Sequence, residues 1–101
     1  MLETTTIQLY NKLRRYSITE EDYIEMIRQQ DHSCAICGCM FISGNLPIID
    51  HDHSCCPNNG SCGRCIRGLL CRNCNLTLGR FKDDPEWFDS AVSYLRSNLA
   101  S

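Results

Sequence analysis

Ile48-Ile49-Asp50-His51-Asp52-His53, followed after a cysteine-rich loop by Ile66-Arg67-Gly68-Leu69-Leu70-Cys71-Arg72-Asn73-Cys74-Asn75, decides how this chain folds. Two short apolar runs bracket the loop and read as pairing strands. The first delivers carboxylates and imidazoles that packing does not require. The second runs straight into a Cys-x-x-Cys pair and an asparagine, so metal-type ligands and the start of a helix share one segment. A helix is expected over 75–81, with Leu76, Leu78 and Phe81 available for the core and Gly79 weakening its end.

Upstream, Cys34-Ala35-Ile36-Cys37-Gly38 is a matching pair. A two-residue gap lets a tight turn aim two thiolates at one ion, and the glycine permits the backbone conformation the turn needs. Cys34, Cys37, Cys71 and Cys74 form two such pairs separated by 33 residues, the donor set of a closed, structural zinc site. Phe41-Ile42 and Leu46-Pro47-Ile48-Ile49 read as two short strands around a Ser43-Gly44-Asn45 turn. In the loop, Cys62 and Cys65 make a third pair that Cys55 and Cys56 can complete as a second zinc site. Adjacent ligands strain one ion, so His53 or Cys39 are alternates, and a disulfide is the rival.

A chain of 101 residues suits one small domain over 1–101 and buries too modest a core to stand on packing alone. Nine cysteines are the available ties. The N-terminus lacks the roughly 7–15-residue apolar core of a secretory signal, and no run approaches the ~18 apolar residues of a membrane span. The expected address is therefore the cytoplasm, where paired cysteines read as zinc ligands. The net charge of −2 does not announce a polyanion binder, but its distribution does. No acid occurs over 54–82, while half of the basic residues fall there: Arg64, Arg67, Arg72, Arg80 and Lys82. Such a strip can hold phosphates, which positions a nucleic acid without reading its sequence; a solvated face is the plainer alternative.

Helices flank this centre. Ile7, Tyr10, Leu13 and Tyr16 recur at helical spacing, with Lys12, Arg14 and Arg15 on other faces. Thr19 then caps a second helix, acidic in its first turn, with Tyr23, Ile24 and Ile27 as its apolar stripe. Asp84-Pro85-Glu86 opens a third, whose stripe of Phe88, Ala91, Val92, Leu95 and Leu99 is expected to pack inward, with Trp87 and Tyr94 as core or rim aromatics.

Together, Asp50-His51-Asp52-His53, Arg67-Gly68-Leu69-Leu70-Cys71, the Cys-x-x-Cys-Asn ending at Asn75 and Cys34-x-x-Cys37-Gly38 closely resemble the recombination endonuclease VII branch of the HNH nucleases. Gly79-Arg80-Phe81-Lys82-Asp83-Asp84-Pro85 also resembles its phage and actinobacterial members. The resemblance implies a small α+β zinc-bound domain: a ββα-metal, His-Me finger, treble-clef-like core over 34–81 between helices over 6–30 and 84–100. It implies that Asp50 and Asn75 bind one Mg²⁺ or Mn²⁺, that His51 is the general base, and that His53 assists at the phosphate. The chemistry is sound on its own terms, since hard oxygen ligands suit magnesium and imidazole takes a proton near neutral pH.

The implied activity is metal-dependent DNA cleavage with little sequence specificity, by a monomer or weak homodimer. The family's prototype carries an acid three residues after the helix asparagine, where this sequence has Leu78, so nicking or simple cleavage is expected rather than junction resolution. The competing reading is a non-catalytic zinc module that binds DNA or a protein partner. Asp50, His51 and Asn75, all present, favour the enzyme.

Overall fold

The computed structural model describes residues 6–57 and 60–99, without the side chains of 6–7 and 98–99. The packing expected of Ile7 and Leu99 therefore lies outside the described residues. In chain order the elements are α1 (Thr6–Tyr16), α2 (Glu20–Gln29), β1 (Ile48–His51), β2 (Ile66–Leu70), α3 (Arg72–Arg80) and α4 (Pro85–Leu99). Four helices and a two-stranded sheet make a small α+β architecture.

The sheet is antiparallel, with Ile48 opposite Leu70, Ile49 opposite Leu69, Asp50 opposite Gly68 and His51 opposite Ile66. The register is regular up to Asp50 and then skips one residue of β2 before His51, a β-bulge in which Arg67 is the extra residue. Such a bulge re-aims side chains, and it falls where the polar residues leave the hairpin. Leu69 is fully buried at the centre of a core that includes Leu13, Tyr23, Phe41, Ile49 and Leu70. Its backbone pairs with a side chain on its outer edge: Leu69 N–H donates to Gln30 Oε1 at 3.0 Å, and Gln30 Nε2 donates to Leu69 O at 2.9 Å. Gln30 thereby satisfies the buried Leu69 N–H and shares its carbonyl with the Ala35 N–H, which donates to it at 3.2 Å.

Helix α2 starts as expected. Thr19 Oγ1 accepts from Asp22 N–H at 3.0 Å while Thr19 N–H donates to Asp22 Oδ2 at 3.2 Å, a reciprocal capping box. Asp84 Oδ1 likewise accepts from Glu86 N–H at 3.0 Å ahead of α4. Helix α3 begins three residues earlier than the expected 75, because Cys71 Sγ serves as its N-cap and accepts from Cys74 N–H at 3.4 Å. Cys74 and Asn75 consequently sit in its first turn.

Four expectations are corrected. Phe41-Ile42 is no strand but a single bridge from Ile42 to Asn45, and Pro47, with no N–H to give, keeps the ladder from reaching back before Ile48. Ile24 is 55% exposed; with Leu9, Tyr10 and Ile18 it lines an open apolar groove of about 1040 Å³ between α1 and α2, so the stripe of α2 is wider than the surface covering it. Leu76 is also exposed, since on α3 it is Cys74 and Leu78 that pack against the core. Helix α4 departs furthest: Val92, Tyr94 and Leu95 are exposed, Leu95 by 60%. It is anchored at its start, where Trp87 stacks on Phe81 at 3.7 Å between ring centroids and Phe88 meets both edge-on. The molecule spans 53 Å along its longest axis. Among the described residues, no helix is long and apolar enough to cross a membrane.

Candidate metal centres and active site

The turn at 34–38 and the N-cap of α3 bring Cys34, Cys37, Cys71 and Cys74 together, their sulfurs all within 4.8 Å of one another. Gly38, at φ 78°, closes the turn. The Cys37 and Cys71 sulfurs are 3.7 Å apart. A tetrahedron with zinc–sulfur bonds of ~2.3 Å has edges of roughly 3.8 Å, whereas a disulfide would bring two sulfurs to about 2.05 Å. Amides are aimed at the sulfurs as thiolates require: Ile36 N–H donates to Cys34 Sγ at 3.4 Å. Burial opposes ionisation of Cys34, but the amides of Cys71, Cys37 and Ile36 outweigh it and bring the thiol down to about 6. At Cys74 burial and then the neighbouring sulfurs push the thiol far up. Four thiols so arranged cannot all ionise unless a cation shares them, which is the chemistry of a zinc set.

Cys55, Cys56, Cys62 and Cys65 form a second such group, also within 4.8 Å. Cys55 lies 3.8 Å from Cys62 and 3.9 Å from Cys56, sulfur to sulfur. The Arg64 amide, then Cys55, lowers Cys62 to about 7, while the sulfurs of Cys65, Cys62 and Cys56 push Cys55 up to about 12. Adjacent residues thus reach one centre, and neither alternate belongs to it. Cys39 lies by the first cluster with Asn45 Nδ2 donating to its sulfur at 3.4 Å, and His53 is engaged elsewhere. All nine cysteines are free in this structure, and the sulfurs of the second cluster stand at ion-sharing rather than disulfide separation. The cysteine clusters could hold two zinc ions.

The second loop docks on the end of α1. Ser61 N–H donates to Arg15 O at 3.1 Å and Ser61 Oγ to Tyr16 O at 2.8 Å. Gly60 and Gly63 permit the approach, because a Cβ on either would stand 2.6 Å from Arg15 O or 2.5 Å from Ser17 O. The loop is also tied to the end of β1, with Asp52 N–H donating to Cys65 O at 2.9 Å.

The residues singled out for chemistry lie at the end of β1, just after it, and in the first turn of α3. Asp50 and His51 are both buried, on the last residues of β1. His51 Nε2 lies 2.8 Å from Cys56 O; a carbonyl only accepts, so Nε2 carries a proton, and in the neutral ring the lone pair is on Nδ1. The ring packs against Tyr16 at 5.7 Å and His53 at 4.4 Å between centroids. Asn75 is half-buried on α3, which packs against both strands. Arg67, placed by the bulge, forks onto Asp50: Nε donates to Oδ2 at 2.7 Å and Nη2 to Oδ1 at 3.0 Å. The Asp50 carboxylate raises Arg67 above its ordinary range. Arg67 Nη2 also donates to Asp83 Oδ2 at 3.3 Å, and His53 Nδ1 donates to the same oxygen at 2.8 Å.

Asp50, His51, His53 and Arg67 are therefore one connected group. Arg64, Arg72, Arg80 and Lys82 are exposed. Asp83 is the site residue that sequence reasoning passed over: it looks like the first of a run of solvated acids, and no spacing connects it to residues 30 and 16 positions earlier.

The fold and site define a small α+β domain with two four-cysteine clusters, and a carboxylate and imidazole site where a β-hairpin runs into a helix. The family model described as recombination endonuclease VII matches residues 10–97, nearly the whole chain, and the chain belongs to that family. At family level that means a nuclease. No curated protein and no solved structure matches the chain.

Proposed function

We propose that the protein is a metal-dependent DNA endonuclease of the HNH type, built on a ββα-metal core of β1, β2 and α3 and braced by two structural zinc ions. The observation that carries this reading is the placement of His51: buried, next in the chain to the buried Asp50, with Nε2 on the Cys56 carbonyl, which leaves Nδ1 of the neutral ring as the nitrogen able to accept a proton. Asp50 and Asn75 would hold one Mg²⁺ or Mn²⁺. Their oxygens are hard donors, and the buried Asp50 carboxylate is already compensated by a cation, Arg67. When bound, that ion supplies charge neutralisation at the phosphate and the leaving oxygen. His51 takes the proton of the attacking water on Nδ1, and hydrolysis breaks one phosphodiester bond. His53 has its Nδ1 on Asp83, so its Nε2 is the nitrogen available to a phosphate oxygen. The exposed Arg64, Arg72, Arg80 and Lys82 hold the DNA backbone with little sequence preference.

The test is Asp50→Asn and Asn75→Ala. Each is expected to weaken Mn²⁺ binding and to lower plasmid nicking by at least about 10²-fold, in line with losing a group that acts in the transition state. Undiminished nicking by both variants would overturn the assignment. Zinc is tested separately by elemental analysis. Two ions per chain are expected in the wild type and one in Cys62→Ser; one in the wild type would sink the second site.

A second reading has one observation in its favour. A non-catalytic zinc module that binds DNA or a protein partner would keep the forked Arg67–Asp50 pair permanently closed. Mn²⁺ binding that depends on Asp50 decides against it.

A further inference from the structure

The turn after α3 is held in a conformation that side chains avoid. Lys82 and Asp83 have φ of 57° and 56°, the left-handed region, where a residue other than glycine is strained. The same pair of left-handed residues ends α2 at Asp31 and His32, so the turn is a helix end used twice in this chain. Lys82 N–H to Gly79 O at 3.1 Å and Asp83 N–H to Leu78 O at 2.9 Å secure the turn. Its product is the placement of one carboxylate. Asp83 Oδ2 accepts from both His53 and Arg67, whereas Oδ1, shut off from solvent, has no hydrogen-bond partner. Leaving a buried carboxylate oxygen unpaired is costly, and each instance in a native protein calls for a reason.

Arg67 supplies one. Its Nη2 is shared, at 3.0 Å from Asp50 and 3.3 Å from Asp83, so one guanidinium stands forked on the first carboxylate and at the edge of the second. A divalent ion at Asp50 must displace that fork, which frees a guanidinium that stands 38% exposed at the rim of the site, already within reach of a second carboxylate. Asp83 offers a vacant oxygen within a side-chain rotation.

We propose that Asp83 is a positioning residue: it fixes the His53 ring, and it receives the Arg67 guanidinium when a divalent ion takes Asp50. The exchange rests on reading Asp50 as a metal ligand. It keeps the count of paired charges constant as the site loads, and it leaves Arg67 beside the bound phosphate rather than in the ion's place.

The test uses the zinc-loaded full chain and Mn²⁺ alone as probe, followed by electron paramagnetic resonance. Asp83→Ala is expected to weaken Mn²⁺ binding about tenfold, because Arg67 then has only Asp50; Asp83→Asn, which keeps one acceptor oxygen but neither the second nor the charge, should fall between. In an Arg67→Met background the same Asp83→Ala change is expected to leave Mn²⁺ affinity unchanged. A tenfold loss there too would mean that Asp83 acts on the ion directly and would overturn the exchange. Nitrogen NMR of the His53 ring in mildly basic buffer should show the Nδ1–H tautomer in the wild type and in Asp83→Asn and its loss in Asp83→Ala. A wild-type signature in Asp83→Ala refutes the positioning role. Cleavage adds a kcat loss at constant KM. Neither Mn²⁺ binding nor the NMR signature requires cleavage, so a wild type that binds Mn²⁺ through Asp50 but cuts no DNA would fail the nuclease reading alone.

Discussion

Alanine at His51 is expected to slow plasmid nicking by about 10²–10⁴-fold, the span contributed by a positioned general base, while zinc content and helicity stay at wild-type values. The reason lies in how the ring is held. Its Nε2 is fixed on the Cys56 carbonyl at 2.8 Å, and its faces meet Tyr16 and His53. Removing it takes away the base without removing a zinc ligand or a central core side chain. His51→Gln should not rescue, since an amide cannot accept a proton near neutral pH. A variant that nicks at the wild-type rate would move the base elsewhere, His53 being the first place to look. The measurement is a time course of supercoiled-to-nicked conversion beside elemental analysis of the same samples.

Loss of the first zinc set is expected to unfold the protein. Structural zinc contributes on the order of 10–16 kcal/mol in small domains, against a total stability of about 5–15 kcal/mol for an ordinary domain. Here Cys34 and Cys71 are themselves members of the buried core, so the ion ties the turn at 34–38 to the start of α3 through the centre of the fold. Cys34→Ser, or a strong chelator, should abolish the cooperative thermal transition seen by circular dichroism; a chelated protein with an unchanged melting curve would contradict this. The pH dependence has a definite sign. The folded Cys34 thiol, at about 6, is depressed from an ordinary value of 9.0. At that sulfur the fold favours the thiolate, a contribution present above pH 9 and lost as pH falls through about 6. The raised Cys74 opposes it in the cluster without a cation, so the acid sensitivity of the whole set comes from protons competing with zinc for the four sulfurs. Acid should release metal and structure together, and alkaline conditions should not.

Much of this was legible in the sequence because it is written in spacing. Two-residue gaps between cysteines predict which thiols share a turn, and apolar runs on either side of the loop predict the hairpin that brings the turns together. Thr19 and Asp84 announce helix starts by the same local logic. What was not legible depends on chain crossing space. The Arg67–Asp50 fork follows from a bulge opposite Asp50 and His51, which no alternation of residues reveals. Asp83 reaches His53 only because two left-handed residues turn it back under the site. Gln30 reads as the frayed end of a helix, yet it pairs both backbone groups of Leu69. The error on α4 has another origin: periodicity tells which face of a helix is apolar, not whether anything covers it.

The most direct measurement is incubation of supercoiled plasmid with the purified zinc-loaded protein, with Mg²⁺ or Mn²⁺ and with excess chelator. Conversion to nicked or linear DNA that needs the divalent ion is the predicted result. Absence of any cleavage of plasmid, branched or single-stranded DNA with either ion, by protein that retains its zinc and fold, would contradict the endonuclease.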